Sequence, residues 1–303
     1  MFKNLLVPLD GSHLAESALP VAAHLAQSLG ASVTLVHLIE QDAPKEIHKE
    51  RHLTNPEEAE AYLKEIAGRA FPPGTQVNWH VHTTQVKDVA ASIVDHTHEM
   101  GPDLIVMCTH GRGGVRDWLM GSIAQQIVSS GTTPVLLIPP KDGSHAVFPC
   151  RLALVPLDGV PDHEQGIPVA VEFARACGIT LYLLMVVPTL SDLKAEKAAT
   201  GRMLPGAMTA MLDLAEQGGK GYLAGHLERL REMKIGASAE VARGDPQAVI
   251  VDTVERVQAD LIILGTHGKT GMDAFWSGSL TPKLSSRSQV PLLLIPVIEP
   301  EPV

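Results

Sequence analysis

Aromatic residues supply only 4% of this 303-residue chain and charged residues only 19%. With so few rings, its cores must be aliphatic, built from Leu, Ile, Val, Ala and Met. The hydrophobic share of 45% is enough for cores of ordinary size. A basic excess is also missing: 24 Lys and Arg against 34 Asp and Glu give a net charge of -10. Counterion release on a polyanion needs a basic surface, so a general nucleic-acid binder is excluded. A phosphate ligand is not excluded, because a local pocket can invert the global sign. Cysteine is scarce. Cys108, Cys150 and Cys177 form no C-x-x-C pair and are odd in number, which excludes a disulfide framework and fits a reducing cytoplasm. No apolar run reaches the ~18 residues of a membrane span, and the run in MFKNLLVPLDGS is too short for a signal peptide. A cytoplasmic chain with no membrane association is expected.

What the chain does have is length for two domains of roughly 150 residues and an internal repeat. Residues 4–11 (NLLVPLDG) match residues 152–159 (LALVPLDG) at an offset of 148, and Gly30 matches Gly178 at the same offset. Later in each half the offset is 157. There PDLIVMCTHGRGGVRDWLMGS (102–122) matches ADLIILGTHGKTGMDAFWSGS (259–279), and TPVLLIPP (133–140) matches VPLLLIPV (290–297). The difference, 157 − 148 = 9, places about nine extra residues in the middle of the second half. The expected domains are residues 1–140 and 150–303, with Pro139 to Pro149 as a Pro- and Gly-containing linker.

Periodicity predicts strands at Leu5–Leu9, Val33–Ile39, Val77–His82, Leu104–Cys108 and Val135–Ile138. Helices are predicted between them at 12–29, 56–70, 87–100 and 122–130. The second half repeats the order: strands at 152–157, 180–187, 237–242, 261–265 and 292–296, with helices at 162–177, 207–233, 246–257 and 279–287. Strands alternating with helices specify an α/β fold, here two tandem doubly wound five-stranded parallel-sheet domains. Ligands on such sheets sit beyond the carboxyl ends of the strands, at a topological switch point. Asp10 and Asp158 end the first strands, and the glycine loops end the fourth.

The second loop reads Gly265-Thr266-His267-Gly268, then nine residues, then Gly278-Ser279, a G-x-x-G-x9-G-S pattern. Gly265 lets backbone approach a ligand with no Cβ in the way, and Gly268 permits a turn with φ > 0. Gly278 and Ser279 open a helix whose free N–H groups and dipole favour a phosphate. The dipole contributes about 0.3–2 kcal/mol, so backbone hydrogen bonds must supply the rest. Position 263 is Ile where a Walker loop needs Gly, and no G-x-G-x-x-G follows a first strand.

This spacing, with the VP-L-D-G start, resembles the universal stress protein family in its ATP-binding subclass, twice over. The resemblance implies an adenine nucleotide alpha hydrolase-like fold and ATP as ligand, with magnesium or manganese beside the triphosphate. It implies that Asp158 lies against adenine, that Val186 contacts adenine through its backbone, and that Gly265, His267, Gly268, Gly278, Ser279 and Leu280 cradle ribose and phosphates. In the first half the matching set is Asp10, Leu38, His110, Gly111, Gly121, Ser122 and Ile123. That half departs at Cys108, which stands where Gly265 stands in the second. If φ there must be positive, the penalty is about 1–2 kcal/mol; if it is negative, a small side chain fits.

Other candidates have plainer readings. Asp10 and Asp158 can be turn formers, as Asp-Gly often is. Eleven of the fourteen histidines lie before residue 150. His80 and His82 share one strand face, whereas His96 and His98, at i and i+2 on a helix, do not. Without an H-E-x-x-H or Cys/His motif these read as exposed polar positions, and no metal site is expected. Residues 188–206 read as a mobile loop near the second site, where Lys194, Lys197 and Arg202 can close over phosphates.

The chain thus reads as a stress-response regulatory module that binds ATP and answers to an unidentified protein partner. No Ser/His/Asp series or paired carboxylates sit at the loops. A slow ATPase or autophosphorylating enzyme remains an alternative, with Ser279, Thr266 or Thr270 as acceptor. So does a structural tandem that binds no nucleotide. The apolar fifth strands, Val135–Ile138 and Leu292–Ile295, are sheet edges that need cover. The resemblance implies that they pair with each other as an intramolecular pseudo-dimer; association into a true homodimer is left open.

Overall fold

The computed structural model describes residues 2–44, 46–47, 50–109, 122–139, 150–161, 164–193, 203–267 and 290–297. The chain divides into two compact units, Met1–Pro149 with Thr266–Val303, and Cys150–Gly265.

In the first unit the sheet strands are β1 (Asn4–Pro8), β2 (Ser32–Glu40), β5 (Val77–Val86), β6 (Leu104–Cys108) and β7 (Val135–Ile138), joined by β12 (Leu292–Val297). Their order is β5-β2-β1-β6-β7-β12. All neighbours are parallel except β7 and β12. There Leu292, Leu293 and Leu294 pair antiparallel with Leu137, Leu136 and Val135, so the two fifth strands cover each other as expected. The second unit holds β8 (Leu152–Leu157), β9 (Thr180–Val187), β10 (Ala237–Arg243) and β11 (Leu261–His267). Its order, β10-β9-β8-β11, is wholly parallel. The central strands are continuous apolar runs because helices cover both faces of such a sheet. Leu5, Leu6, Val7 and Leu104 to Val106 are all 0–1% exposed. Each such Leu or Val contributes about 1.5–3 kcal/mol by leaving water.

The helices are α1 (His13–Glu16), α2 (Leu19–Leu29), α3 (Pro56–Ala70), α4 (Val89–Met100), α5 (Ser122–Ser130), α6 (Gly166–Cys177), α7 (Pro205–Glu232) and α8 (Pro246–Val257). The single helix expected over 12–29 is broken in two. Pro20, with no N–H to donate, sits in the first turn of α2, and the Ser17 hydroxyl donates back to the Leu14 carbonyl at 2.7 Å. The polar stretch after β2 holds a small antiparallel pair, β3 (Glu46–Ile47) and β4 (Glu50–Arg51), which its composition did not signal. The extra length of the second half falls largely in α7, 28 residues against 15 in α3.

The repeat extends to its polar anchors. Asp103, just before β6, accepts from the backbone N–H groups of Lys3 (2.7 Å) and Asn4 (3.0 Å) at the start of β1. Asp260, just before β11, accepts from those of Arg151 (2.7 Å) and Leu152 (3.2 Å) at the start of β8. The two halves thus align first and fourth strands by the same carboxylate. Among the described residues no helix is long and apolar enough to cross a membrane.

The second unit also holds a polar cluster around the buried His226. Arg229 donates to His226 Nδ1 at 3.0 Å, which leaves Nε2–H to donate to Glu164 at 3.3 Å. Tyr222 also donates to Glu164, at 2.8 Å, and its ring packs edge-on against His226. Burial, reinforced by Arg229 and opposed by Glu164, holds the His226 imidazole below its usual value of 6.5. Below pH 6.5 the unfolded chain therefore binds a proton that the folded chain resists, and stability falls as pH drops from there toward the lowered folded value. We expect denaturant midpoints to fall between pH 7 and pH 5, with a shallower slope in His226→Gln. Equal slopes in the two proteins would remove this residue from the pH response.

Candidate nucleotide site

In the first unit the strand order changes direction between β1 and β6, with β2 on the far side of β1. A ligand crevice is expected there, and a cavity of about 370 Å³ occupies it. Its walls come from the end of β1 (Leu9, Asp10), the end of β2 (His37, Leu38, Glu40), the end of β6 (Met107, Cys108), the first turn of α5 (Ser122, Ile123, Ala124) and the entry to α4 (Lys87, Asp88, Val89). Asp10, Leu38, Ser122 and Ile123, all singled out in the sequence, are thereby gathered in one place. His110, Gly111 and Gly121 lie outside the described residues.

Asp10 is a turn former as well as a crevice residue. Its Oδ1 accepts from the Ser12 backbone N–H at 2.9 Å and from the Ser12 hydroxyl at 2.6 Å. Gly11 follows with φ +89, a conformation costly for any residue with a Cβ. In the second unit Asp158 Oδ1 accepts from the Val160 N–H at 2.9 Å, and Gly159 has φ +80. The first-strand aspartates therefore build the same turn twice. Leu38 and Val186 are each 7% exposed. Continuing the registers Pro8↔Val36 and Leu157↔Met185 sets each beside its aspartate.

Cys108 belongs to β6 and pairs with Ile138. Its backbone is ordinary strand, not one of the positive-φ positions, so the conformational penalty considered for it does not arise. Gly265 likewise ends as strand, within β11, which runs on through His267 rather than stopping at 265. The two positions differ by side-chain volume alone. Gly268, Gly278, Ser279 and Leu280 lie outside the described residues, as do Lys194, Lys197 and Arg202.

Several crevice residues escaped the sequence reading. Asp88 caps α4 by accepting from the Ala91 N–H at 2.9 Å, and Asp245, 157 positions on, caps α8 through Gln247 and Ala248. The N-terminus of α4 thus joins that of α5 at the crevice, and Lys87 adds a cation. A cap residue ahead of an apolar helix was the available signal. His37 had none. It is 1% exposed, with Nδ1 2.7 Å from the Leu9 carbonyl oxygen and Nε2 2.9 Å from that of Leu53. It ties the segment after β4 to the end of β1. The matching residue of the second half, 148 positions on, is Met185.

One expectation needs correction. His96 is not an exposed polar position but a buried one, and α4 packs it against His80 and His82 of β5. Periodicity compares residues within one element and cannot show two elements meeting.

In a doubly wound α/β fold the crevice at the switch point is where a small ligand is accommodated. A family model, "Universal stress protein family", matches residues 1–139 and 151–296, and the chain belongs to that family. A universal stress protein of Mycolicibacterium smegmatis is 24% identical over 310 residues, covering 96% of each chain. Among solved structures, a functionally unknown protein of Pseudomonas aeruginosa covers 98% of this chain and 93% of its own, with a TM-score of 0.68 at 15% identity. A universal stress protein of Archaeoglobus fulgidus covers 97% and 98%, with 0.62 at 17% identity. At these identities the structures speak for the fold alone.

Proposed function

We propose that the protein is a regulatory adenine-nucleotide binder, with ATP held in the first-unit crevice and in the equivalent place of the second half. One observation carries the reading: a single cavity gathers Asp10, Leu38, Ser122 and Ile123 with the N-termini of α4 and α5. The chemistry divides along it. Leu9, Leu38 and Met107 offer an apolar bed for a base, with Asp10 as a polar acceptor beside it. The two helix N-termini and Lys87 offer N–H groups and positive charge for phosphates. The carboxylates of Glu40 and Asp88 on the wall are hard oxygen donors of the kind that fit a magnesium or manganese ion accompanying a triphosphate. Val186, Asp158, Gly265, His267, Gly268, Gly278, Ser279 and Leu280 are assigned the same roles in the second half by the repeat.

Equilibrium titration with ATP tests this. Lys87 is exposed, so Lys87→Ala should leave the fold intact and weaken first-site binding by about tenfold, the loss of one charge-assisted contact. Unchanged affinity would take Lys87 out of the site. No binding at millimolar ATP would favour the structural tandem instead. Multiple turnovers that vanish in Gly278→Val would favour a slow ATPase or autophosphorylating enzyme.

A further inference from the structure

We propose that His80, His82 and His96 form a binding site for a divalent transition-metal ion, with zinc as the best match, separate from the nucleotide crevice. Alternation along β5 puts His80 and His82 on one face of that strand. The following helix, α4, brings His96 onto the same face. The His96 ring centroid lies 5.2 Å from that of His80 and 4.9 Å from that of His82, and the two strand rings are 6.5 Å apart. One nitrogen from each ring can be chosen so that all three lie within 4.8 Å of one another.

The state of His96 is what points to a cation. Its Nδ1 lies 2.7 Å from the Ser92 carbonyl oxygen. A carbonyl only accepts, so Nδ1 carries the proton and the neutral ring presents a lone pair at Nε2. That Nε2 is buried, on a residue 2% exposed, and has no hydrogen-bond partner. Buried polar atoms are almost always paired, so an orphan acceptor calls for an occupant. An N–H tied to a backbone carbonyl, with the opposite nitrogen free, is the arrangement that orients metal-ligating histidines.

The donor set selects the ion. Three imidazoles suit zinc, cobalt, nickel or copper, whereas magnesium and calcium require oxygen ligands. In tetrahedral zinc sites with bonds of about 2.0–2.1 Å, ligand nitrogens stand ~3.3 Å apart. Rotation of the half-buried His80 and His82 side chains closes the remaining distance. Water is the natural fourth ligand. Asp88, Asp95 and Glu99, with the cation Lys87 among them, line the adjoining recess beside His82 and His96, so its approach is net anionic.

The full-length, nucleotide-free protein, stripped with a chelator, should be titrated with zinc by calorimetry and with cobalt by visible absorption. Wild type is expected to bind one zinc equivalent that is weakened at least ~100-fold in His82→Gln and in His96→Gln. The intense cobalt bands of a tetrahedral nitrogen site should appear in wild type and in His98→Gln, whose exposed side chain lies off the cluster, and vanish in His82→Gln. His82 is half-buried on an edge strand, so that variant keeps the test valid if His96→Gln fails to fold. Equal zinc stoichiometry and affinity in wild type and His82→Gln would overturn the proposal. So would the absence of micromolar zinc binding in wild type.

Discussion

Replacing Gly11 by valine is expected to cost about 2–5 kcal/mol of stability. Two penalties add. Gly11 sits at φ +89, where an L-residue loses about 1–2 kcal/mol and a β-branched one more. A Cβ there would also lie 2.7 Å from Leu53 Cδ1 and 2.8 Å from Leu53 Cγ. Relieving that overlap moves Leu53, whose carbonyl faces His37, at about 1–3 kcal/mol for an overpacked site. Gly11→Ala should lose less, because alanine avoids the β-branch. Denaturant unfolding at fixed pH reads both. A Gly11→Val midpoint equivalent to wild type would show that the Asp10 turn is not held in this conformation. Because the turn carries Asp10 into the crevice, ATP affinity of the first site should fall with stability.

The second large effect is at His37. His37→Met installs the residue that the second half carries at the matching position, Met185. There the thioether fits because α7 presents Gly219 to it; a Cβ on Gly219 would stand 2.8 Å from Met185 Sδ. Around His37 the neighbours are instead two carbonyl oxygens, of Leu9 and Leu53. Methionine offers them no donor. A buried acceptor left unsatisfied costs about 1–3 kcal/mol, so the substitution should lose about that much despite its similar bulk. Faster amide exchange in residues 50–53 should accompany it, since the ring ties that segment to β1. A loss below 0.5 kcal/mol with unaltered exchange would mean that water replaces the imidazole without penalty.

Much of the fold was legible because the cores are aliphatic runs with sharp ends. Helix Pro56–Ala70 and strands Leu104–Cys108, Val135–Ile138, Leu152–Leu157 and Thr180–Val187 fall where periodicity puts them. The repeat made the alternation of strands and helices readable twice, and the apolar fifth strands, with the family resemblance, anticipated the pairing of β7 with β12. Misses fall where a local detail overrides the period. Pro20 splits a helix, and β5 runs four residues past His82 because an edge strand, half exposed, carries no apolar signature to mark its end. The site was legible where a motif names its residues, as for Asp10, Leu38, Ser122 and Ile123. It was illegible where chemistry comes from elements distant in sequence. His37 reaches Leu53 across 16 residues, and His96 reaches His80 only because a helix folds back on its strand.

The Cys108 difference between the halves also changes meaning. A cysteine in strand geometry is unstrained, so it narrows the first crevice without abolishing it. The first site is therefore expected to bind nucleotide, and it is the place to test the central claim. Photolabelling the full chain with 8-azido-ATP, followed by peptide mapping, locates a bound adenine directly. Covalent label is expected within residues 4–44, around Asp10 and Leu38, and unlabelled ATP should remove it by competition. Label that ATP does not displace, or that falls wholly outside the segments forming the crevice, would contradict that claim.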